Sequence, residues 1–113
     1  MDEDGAFLRA GLPRDILKKL RHIHWTIEEE LDLHGFTAEG ADVETARFLA
    51  ECRRLGVRCV RIIHGKGLRS AGGEPVLKGR VRTHLARHPA VLAFVEPHAP
   101  DGGSGAVLVL LEA

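Results

Sequence analysis

The sequence predicts an α/β fold, a two-layer sandwich with a four-stranded mixed sheet in the element order β-α-β-α-β-β. Helical stripes of apolar residues alternate with short, β-branched runs, which is typical of strand-helix-strand units. Such units make right-handed crossovers, so the first three strands are expected to run parallel. The last two runs are joined by a glycine-rich loop instead of a helix, so the last strand is expected to run antiparallel.

The segment before the sheet carries one short helix. Apolar residues at helical spacing follow Pro13, a residue that suits a first helical turn, and predict a helix to Arg21. Residues 23–27 are ambiguous, and the first strand is predicted around residues 30–33. We therefore divide the chain into an N-terminal extension, residues 1–28, and a domain of residues 29–113.

Two longer helices connect the strands. The first begins at Thr37 and ends near Leu55, because an apolar stripe runs between these residues and Gly56 can end the helix in a left-handed conformation. Pro75 suits the first turn of the second, which ends near Pro89. The remaining strands are expected at residues 57–63, 91–95 and 106–111.

Composition indicates an ordinary globular protein. Hydrophobic residues make up 44% and charged residues 28% of the 113 residues, which fits one domain with one core. The sequence shows neither a signal peptide nor an apolar run that could span a bilayer, so we expect a cytoplasmic protein with no membrane partner, and a monomer. Cys52 and Cys59 match neither zinc nor redox spacing and are expected to be buried, reduced thiols.

The formal net charge of zero conceals an uneven distribution of charge. Between residues 52 and 88 the only acidic residue is Glu74, whereas Lys and Arg recur throughout. This segregation can create a local positive field that a nucleic acid would sense. The alternative is a solvated basic helix face that binds nothing.

Three motifs are expected to meet at one edge of the sheet. Asp32 and His34 end the first strand, residues 64–67 end the second, and a glycine-rich segment at residues 102–105 precedes the antiparallel last strand. Parallel α/β sheets bind their ligands at the carboxyl ends of the strands. This convergence predicts a functional site, although each motif alone is compatible with an ordinary turn.

The residues at this edge suit the cleavage of a phosphodiester. His34 and His64 can supply an acid and a base near neutral pH. Asp32 could orient a histidine or ligate a single Mg²⁺ or Mn²⁺ ion. Lys66 and Arg69 can neutralise phosphate oxygens, and the glycines between them allow the backbone to approach the phosphate closely.

The same motifs resemble those of the Smr (small MutS-related) domain family. Leu31-Asp32-Leu33-His34-Gly35 is similar to the first family motif and Ile62-Ile63-His64-Gly65-Lys66-Gly67 to the second. A third stretch includes Gly102-Gly103-Ser104-Gly105-Ala106, and the resemblance extends over residues 13–111. It implies a fold similar to the C-terminal domain of bacterial translation initiation factor 3.

The resemblance also implies a function. Family members include nicking endonucleases on DNA and nucleases on RNA, some of them associated with the ribosome. The resemblance places Asp32 and His34 in the catalytic motif and residues 64–67 in a second active-site loop. The sequence has no phosphate-binding GxxxxGK[ST] loop, so mismatch repair is not implied, and residues 67–75 and 97–100 depart from the family, which leaves substrate choice open.

Our hypothesis is an endonuclease or nicking nuclease that hydrolyses or transesterifies phosphodiesters of DNA or RNA. Its expected catalytic residues are Asp32, His34, His64 and Lys66. Its expected nucleic-acid contacts are Arg58, Arg61, Gly65, Gly67, Arg69, Lys78, Gly102, Gly103, Ser104 and Gly105. The alternative is a non-catalytic nucleic-acid or ribosome-binding module, and a third reading, a small-molecule phosphate enzyme, would require a deep closed pocket.

Overall fold

A mixed sheet with helices on both faces forms the fold in the computed structural model, which describes residues 5–66 and 74–113. Within these residues the sheet has five strands. The elements are β1 (Phe7–Leu8), α1 (Asp15–Arg21), β2 (Glu29–Asp32), α2 (Ala38–Leu55), β3 (Cys59–Ile63), α3 (Glu74–Arg87), β4 (Val91–Val95) and β5 (Ala106–Leu111). The helices and strands predicted from the sequence are therefore present and in the predicted order.

The strand directions also agree with the prediction. The sheet order is β1-β4-β5-β3-β2. Strands β2 and β3 are parallel neighbours, and β5 runs antiparallel to both β3 and β4. It follows that β2, β3 and β4 all point the same way, with the last strand inserted between the second and third of them.

Helices α2 and α3 cover one face of the sheet. The strands they connect advance in one direction across the sheet, so right-handed crossovers carry both helices to the same side. Alternate residues of β5 face this side, and Val107 and Val109 join a buried cluster with Leu49 of α2 and Leu85 of α3.

The opposite face is covered by the N-terminal segment. Leu17 and Leu20 of α1 are buried there against Leu108 and Leu110, the other alternate residues of β5. Strand β1 adds a fifth, antiparallel edge strand beside β4. The fold class is confirmed, but this extra strand and third layer were not expected, because β1 has only two residues and no pattern of its own.

The boundaries of α2 follow from local chemistry. The Thr37 hydroxyl accepts a hydrogen bond from the backbone N–H of Gly40 at 3.0 Å, and Gly56 ends the helix with a φ of 74°. The helix therefore begins directly after the turn that follows β2.

Both cysteines are buried free thiols, and burial raises the pKa of each to about 11. In the described part of the chain, no helix combines the length and apolar character that crossing a bilayer requires.

Candidate nucleic-acid interface

The ends of β2 and β3 and the start of β5 meet at one edge of the sheet. The backbone N–H of Leu33 donates to the carbonyl of Ile63 at 2.7 Å, which continues the β2–β3 pairing beyond the strand. The backbone N–H groups of His64 and Gly65 both donate to the carbonyl of Gly105, at 3.0 and 3.1 Å. The fold thus brings three segments that are distant in sequence into direct contact.

Asp32 and His34 form an exposed carboxylate–imidazole pair at this edge. One oxygen, Oδ1 of Asp32, lies 2.6 Å from Nδ1 of His34 and also accepts the His34 backbone N–H at 3.0 Å. These bonds lower the pKa of Asp32, with the hydrogen bond to the His34 side chain as the main cause. Because an ionised carboxylate only accepts, Nδ1 carries the ring proton, and Nε2 is the nitrogen that could exchange a proton with a substrate.

His64, in contrast, is fully buried. Its Nδ1 lies 2.7 Å from the carbonyl oxygen of Gly65, and its Nε2 lies 2.9 Å from Nη1 of Arg82 on α3. Carbonyl oxygens only accept and guanidinium groups only donate, so His64 is neutral with its proton on Nδ1. Burial lowers its pKa to about 4, and the positive charges of Arg82 and Lys78 contribute to the same shift.

Arg82 is itself 6% exposed and has a pKa lowered by burial. Its Nε and Nη2 atoms have no hydrogen-bond partner within residues 5–66 and 74–113. Burying a charged guanidinium group lowers the stability of the folded state unless its donors find partners. Here the Nη1 atom donates to the His64 ring. Arg82 therefore connects α3 to the loop that follows β3.

The two histidines consequently differ in their surroundings. The His34 side chain is 69% exposed, whereas His64 is 0% exposed. We expected both imidazoles on one exposed edge, but His64 is buried and its Nε2 contacts Arg82 of α3. Of the two, His34 is the imidazole that a macromolecular substrate can reach in this conformation.

Lys66 is exposed beside an open cavity of about 300 Å³ at the same edge. Among the described residues it forms no ion pair, so its ammonium group can meet a phosphate. A Cβ atom on Gly105 would approach Cγ of Lys66 to 3.1 Å, so the glycine allows the lysine stem to pack closely across the loop. Gly65, Gly102 and Gly105 line the cavity.

Three of the basic residues expected to bind nucleic acid already contact other groups of the protein: Arg58, Arg61 and Lys78. Arg61 lines the cavity, but Glu30 and the carbonyl of Asp101 hold its guanidinium group. Lys78 lies 3.4 Å from a carboxylate oxygen of Glu96.

Arg58 precedes β3 at the opposite end of the sheet, where its Nε donates to the carbonyl of Leu111 at 2.7 Å. Gly103 and Ser104 lie in a short 3₁₀ turn beside the cavity, whereas Gly67 and Arg69 fall outside the described residues.

A larger cavity, of about 810 Å³, runs along the helical layer between α2 and α3. Asp42, Arg80, His84 and His88 line it, and none of the motif residues at the strand ends does. Arg80 is paired there with Asp42 at 2.8 Å. The size of this cavity does not make it the better candidate for the functional site, because the groups suited to phosphodiester chemistry lie at the strand ends.

Asp32 would supply only one carboxylate to a metal ion. Within the described ranges, no three His, Cys, Asp or Glu side chains are arranged to hold an ion. An Mg²⁺ or Mn²⁺ ion at Asp32 would therefore need its remaining ligands from water or from the phosphates of a substrate.

Reasoning from the sequence missed Arg82, Glu30 and Asp101 as parts of this edge. One signal was available for the buried histidine: Val60, Ile62 and His64 alternate along the strand, so His64 continues the face that contacts α2 and α3. No comparable signal identifies Glu30 as the partner of Arg61, because that pairing depends on strand register.

Comparison with known proteins agrees with the motifs. Residues 31–112 match the Smr domain family. The ribosome rescue factor SmrB of Tolumonas auensis is 37% identical over 114 aligned positions, covering 99% of this chain and 62% of the relative. SmrB of Klebsiella pneumoniae is 38% identical over 106 positions, with coverage of 94% and 55%. The chain thus spans less than two thirds of the length of these curated relatives.

Solved structures show the same fold. The stand-alone small MutS-related protein YdaL from Escherichia coli superposes with a TM-score of 0.83 at 28% identity, covering 96% of this chain and 82% of YdaL. The Smr domain of Thermus thermophilus MutS2 superposes with a TM-score of 0.68 at 32% identity, covering 76% of this chain and all of that domain. The sequence match, the motifs and the shared architecture together establish that this chain belongs to the Smr domain family.

Proposed function

We propose that this chain binds RNA, in association with the ribosome, through the edge of the sheet that carries Asp32, His34 and Lys66. The observation that carries the proposal is the meeting at that edge of an exposed acid–base pair, a glycine-rich backbone and a lysine that forms no ion pair with the part of the chain that the structure describes. The relatives named ribosome rescue factor SmrB support the ribosome as the setting. Lysine and closely approaching backbone are suited to phosphates and need no particular base sequence.

Binding is tested by titrating a fluorescent single-stranded RNA at several salt concentrations, and by co-sedimentation with ribosomes. Lys66→Ala should weaken RNA binding and reduce the salt slope by about 0.7, because one phosphate contact is lost. Lys19→Ala is the matched control, because Lys19 is an exposed lysine of α1 paired with Asp15 at 3.2 Å. Equal effects of the two substitutions would count against an interface at Lys66.

Cleavage of the bound RNA is a second candidate function, favoured by the contact between Asp32 and His34. With its proton held on Nδ1 by Asp32, His34 could accept a proton from a 2′-hydroxyl at Nε2. The 2′-oxygen would then bond to phosphorus as the bond to the 5′-oxygen breaks, and the departing 5′-oxygen would take a proton from water. The products would be a cyclic phosphate and a 5′-hydroxyl. The imidazolium that forms would be stabilised by the carboxylate beside it.

Cleavage is tested with labelled RNA, by measuring rates and product ends with and without chelator. His34→Ala should lower the cleavage rate by about 10²- to 10⁴-fold, a loss much larger than its loss of RNA affinity in the binding titration. Asp32→Asn should lower the rate while preserving the side chain's shape. Chelator-sensitive cleavage that leaves 5′-phosphate ends would replace this route with one through a metal ion at Asp32.

Cleavage that continues unchanged in His34→Ala would remove the catalytic role of the pair. If the unmodified chain binds RNA and cleaves none, the binding proposal stands by itself, as a module that recognises RNA without cutting it. The binding titrations decide that outcome independently, because they do not use the rate of cleavage.

A further inference from the structure

The cavity of about 300 Å³ lies on the face of the sheet to which Asp32 also belongs. Ile63, which lines it, is the register partner of Asp32 in the parallel β2–β3 ladder, and paired residues of neighbouring strands share one face of the sheet. Ala106 forms another apolar part of the lining, and Lys66 stands at the rim. A ligand in this cavity would therefore lie on the same face of the sheet as the Asp32 carboxylate.

The lining residue Arg61 is held rigidly. Its Nε donates to a carboxylate oxygen of Glu30 at 2.6 Å, its Nη2 contacts the same oxygen, and its Nη1 donates to the carbonyl of Asp101 at 3.1 Å. All three guanidinium nitrogens thus meet an oxygen of the protein, and the carboxylate neutralises the charge. Hydrogen bonds to a guanidinium lie in its plane, so occupied edges leave the planar face as the surface that can contact a ligand.

A nucleobase matches this arrangement better than a phosphate does. Unstacked bases in single-stranded RNA are commonly recognised by stacking on aromatic rings or on guanidinium planes. A phosphate would have to compete with Glu30 for Arg61 and would gain little from the apolar side chains of Ile63 and Ala106. The neighbouring Lys66, which has no such competitor among the described residues, is the group suited to the phosphate.

We propose that this cavity is a nucleobase subsite in which one unstacked base lies on the Arg61 guanidinium plane, with the adjoining phosphate at Lys66. The inference rests on the proposed function and adds to it a contact that distinguishes RNA carrying bases from a bare phosphodiester chain. Glu30 and Asp101 act as positioning residues, because they hold the platform and do not touch the base.

The test compares two single-stranded RNA decamers, one intact and one abasic at its three central positions. The full chain should bind the intact oligomer more tightly by about tenfold, which corresponds to about 1.4 kcal/mol. Arg61→Lys keeps the charge and removes the plane, so it should reduce this preference to less than about threefold. Thermal unfolding of each variant checks that the fold is retained.

Arg54→Lys is the matched control. Arg54 is also held by a carboxylate, that of Glu51 at 2.6 and 2.9 Å, but it lies on α2 and does not line the cavity. This variant should keep the preference of the unmodified chain. A preference that survives in Arg61→Lys, or one that is lost equally in Arg54→Lys, overturns the subsite.

A second measurement uses the unmodified chain and does not depend on a variant. The Arg61 Nε–H, protected by Glu30, should give an observable signal in ¹⁵N-correlated NMR spectra, and a stacked base should shift it through its ring current. The intact decamer should move this signal and the abasic decamer should not. Equal shifts with both would show that Arg61 responds to phosphate and would overturn the inference.

The two proposals fail in different ways. If the chain binds both decamers equally and Lys66→Ala weakens both, the phosphate interface stands and the subsite falls. If the unmodified chain binds neither decamer at any salt concentration, the proposed function falls, and the subsite falls with it.

Discussion

The His64 ring occupies an enclosed position in which both of its nitrogens are used. Arg82 donates to one nitrogen, and the other donates to the carbonyl of Gly65, so the ring holds the backbone of its own loop. The carbonyl of Gly105 also fixes this loop, because it accepts hydrogen bonds from the backbone N–H groups of His64 and Gly65. His64 is therefore placed to stabilise the backbone beside Lys66. Measurements of the free energy of unfolding test this structural role.

The pKa of His64 predicts how stability depends on pH. The folded value of about 4 is below the ordinary 6.5, so folding favours the neutral ring. This contribution is fully present above pH 6.5 and is lost as the pH falls towards 4, on the order of 3 kcal/mol at most. Chemical denaturation between pH 7 and pH 4 measures it. His64→Gln should make the profile shallower, although not flat, because burial also lowers the pKa of His88. His24→Gln, at an exposed histidine, should change the profile less.

Replacing Arg82 predicts a change in the titration of His64. The positive charge of Arg82 is one cause of the low pKa, so Arg82→Met should raise that pKa while burial continues to hold it below 6.5. The ring should also lose the donor that fixes its proton on Nδ1. Ring ¹⁵N shifts recorded against pH report both effects, and an unchanged titration would show that Arg82 does not act on the ring.

Sequence reasoning located the His64 loop but not its burial. The strand and its end could be read from the β-branched run, whereas enclosure depends on how α3 lies across the end of β3. Arg82 appeared in the sequence only as one member of a basic segment, and its contact with His64 spans 18 positions. Long-range partners of this kind have no local signature.

At the scale of elements, the predictions succeeded where a pattern persists for several residues. Strands β4 and β5 have the predicted bounds, and α2 begins one residue after Thr37. β3 begins at Cys59 instead of residue 57, and the backbone N–H of Val57 still donates to the carbonyl of Cys52 in α2. β1 was missed, since its two residues pair only through the tertiary fold.

In the short turns before β5, we expect a substitution of Gly102 to destabilise the fold more than a substitution of its neighbour Gly103. Gly102 has a φ of 124°, and a Cβ atom there would lie 2.7 Å from Cβ of Ala106. Gly102→Ala should therefore destabilise the fold by about 3 kcal/mol or more, through backbone strain and collision together.

Gly103 provides the comparison for Gly102. Its φ is 53° and a Cβ atom would meet nothing within 4 Å, so Gly103→Ala should cost about 1 to 2 kcal/mol. Free energies of unfolding from urea titrations distinguish the two. Equal losses would mean that the collision with Ala106 is relieved by movement of the loop.

At the scale of the whole molecule, folding neutralises part of the uneven charge of the sequence. The basic segment of residues 52–88 meets carboxylates from other parts of the chain. The pairs are Arg53–Glu112, Arg61–Glu30, Lys78–Glu96 and Arg80–Asp42. A charge count along the sequence could not show this, because it takes no account of which segments become neighbours.

The division of the chain at residue 28 stays a prediction, and truncation tests it. A fragment of residues 29–113 would expose the sheet face that α1 covers. Losing the burial of Leu17 and Leu20 alone should cost about 3 kcal/mol or more. The fragment of residues 5–113 is the control and should unfold like the full chain. If the shorter fragment proves equally stable, residues 29–113 form the folding unit.

The position of β5 also has a consequence for how this chain folds during translation. Residues 106–111 are buried throughout and separate β3 from β4, yet they are translated after the other four strands of the described sheet. A nascent chain that has not reached them has two unpaired strand edges facing a gap, and such edges invite aggregation. The sheet can close only when this last segment has emerged, so premature termination before residue 106 should yield material that chaperones retain or proteases remove.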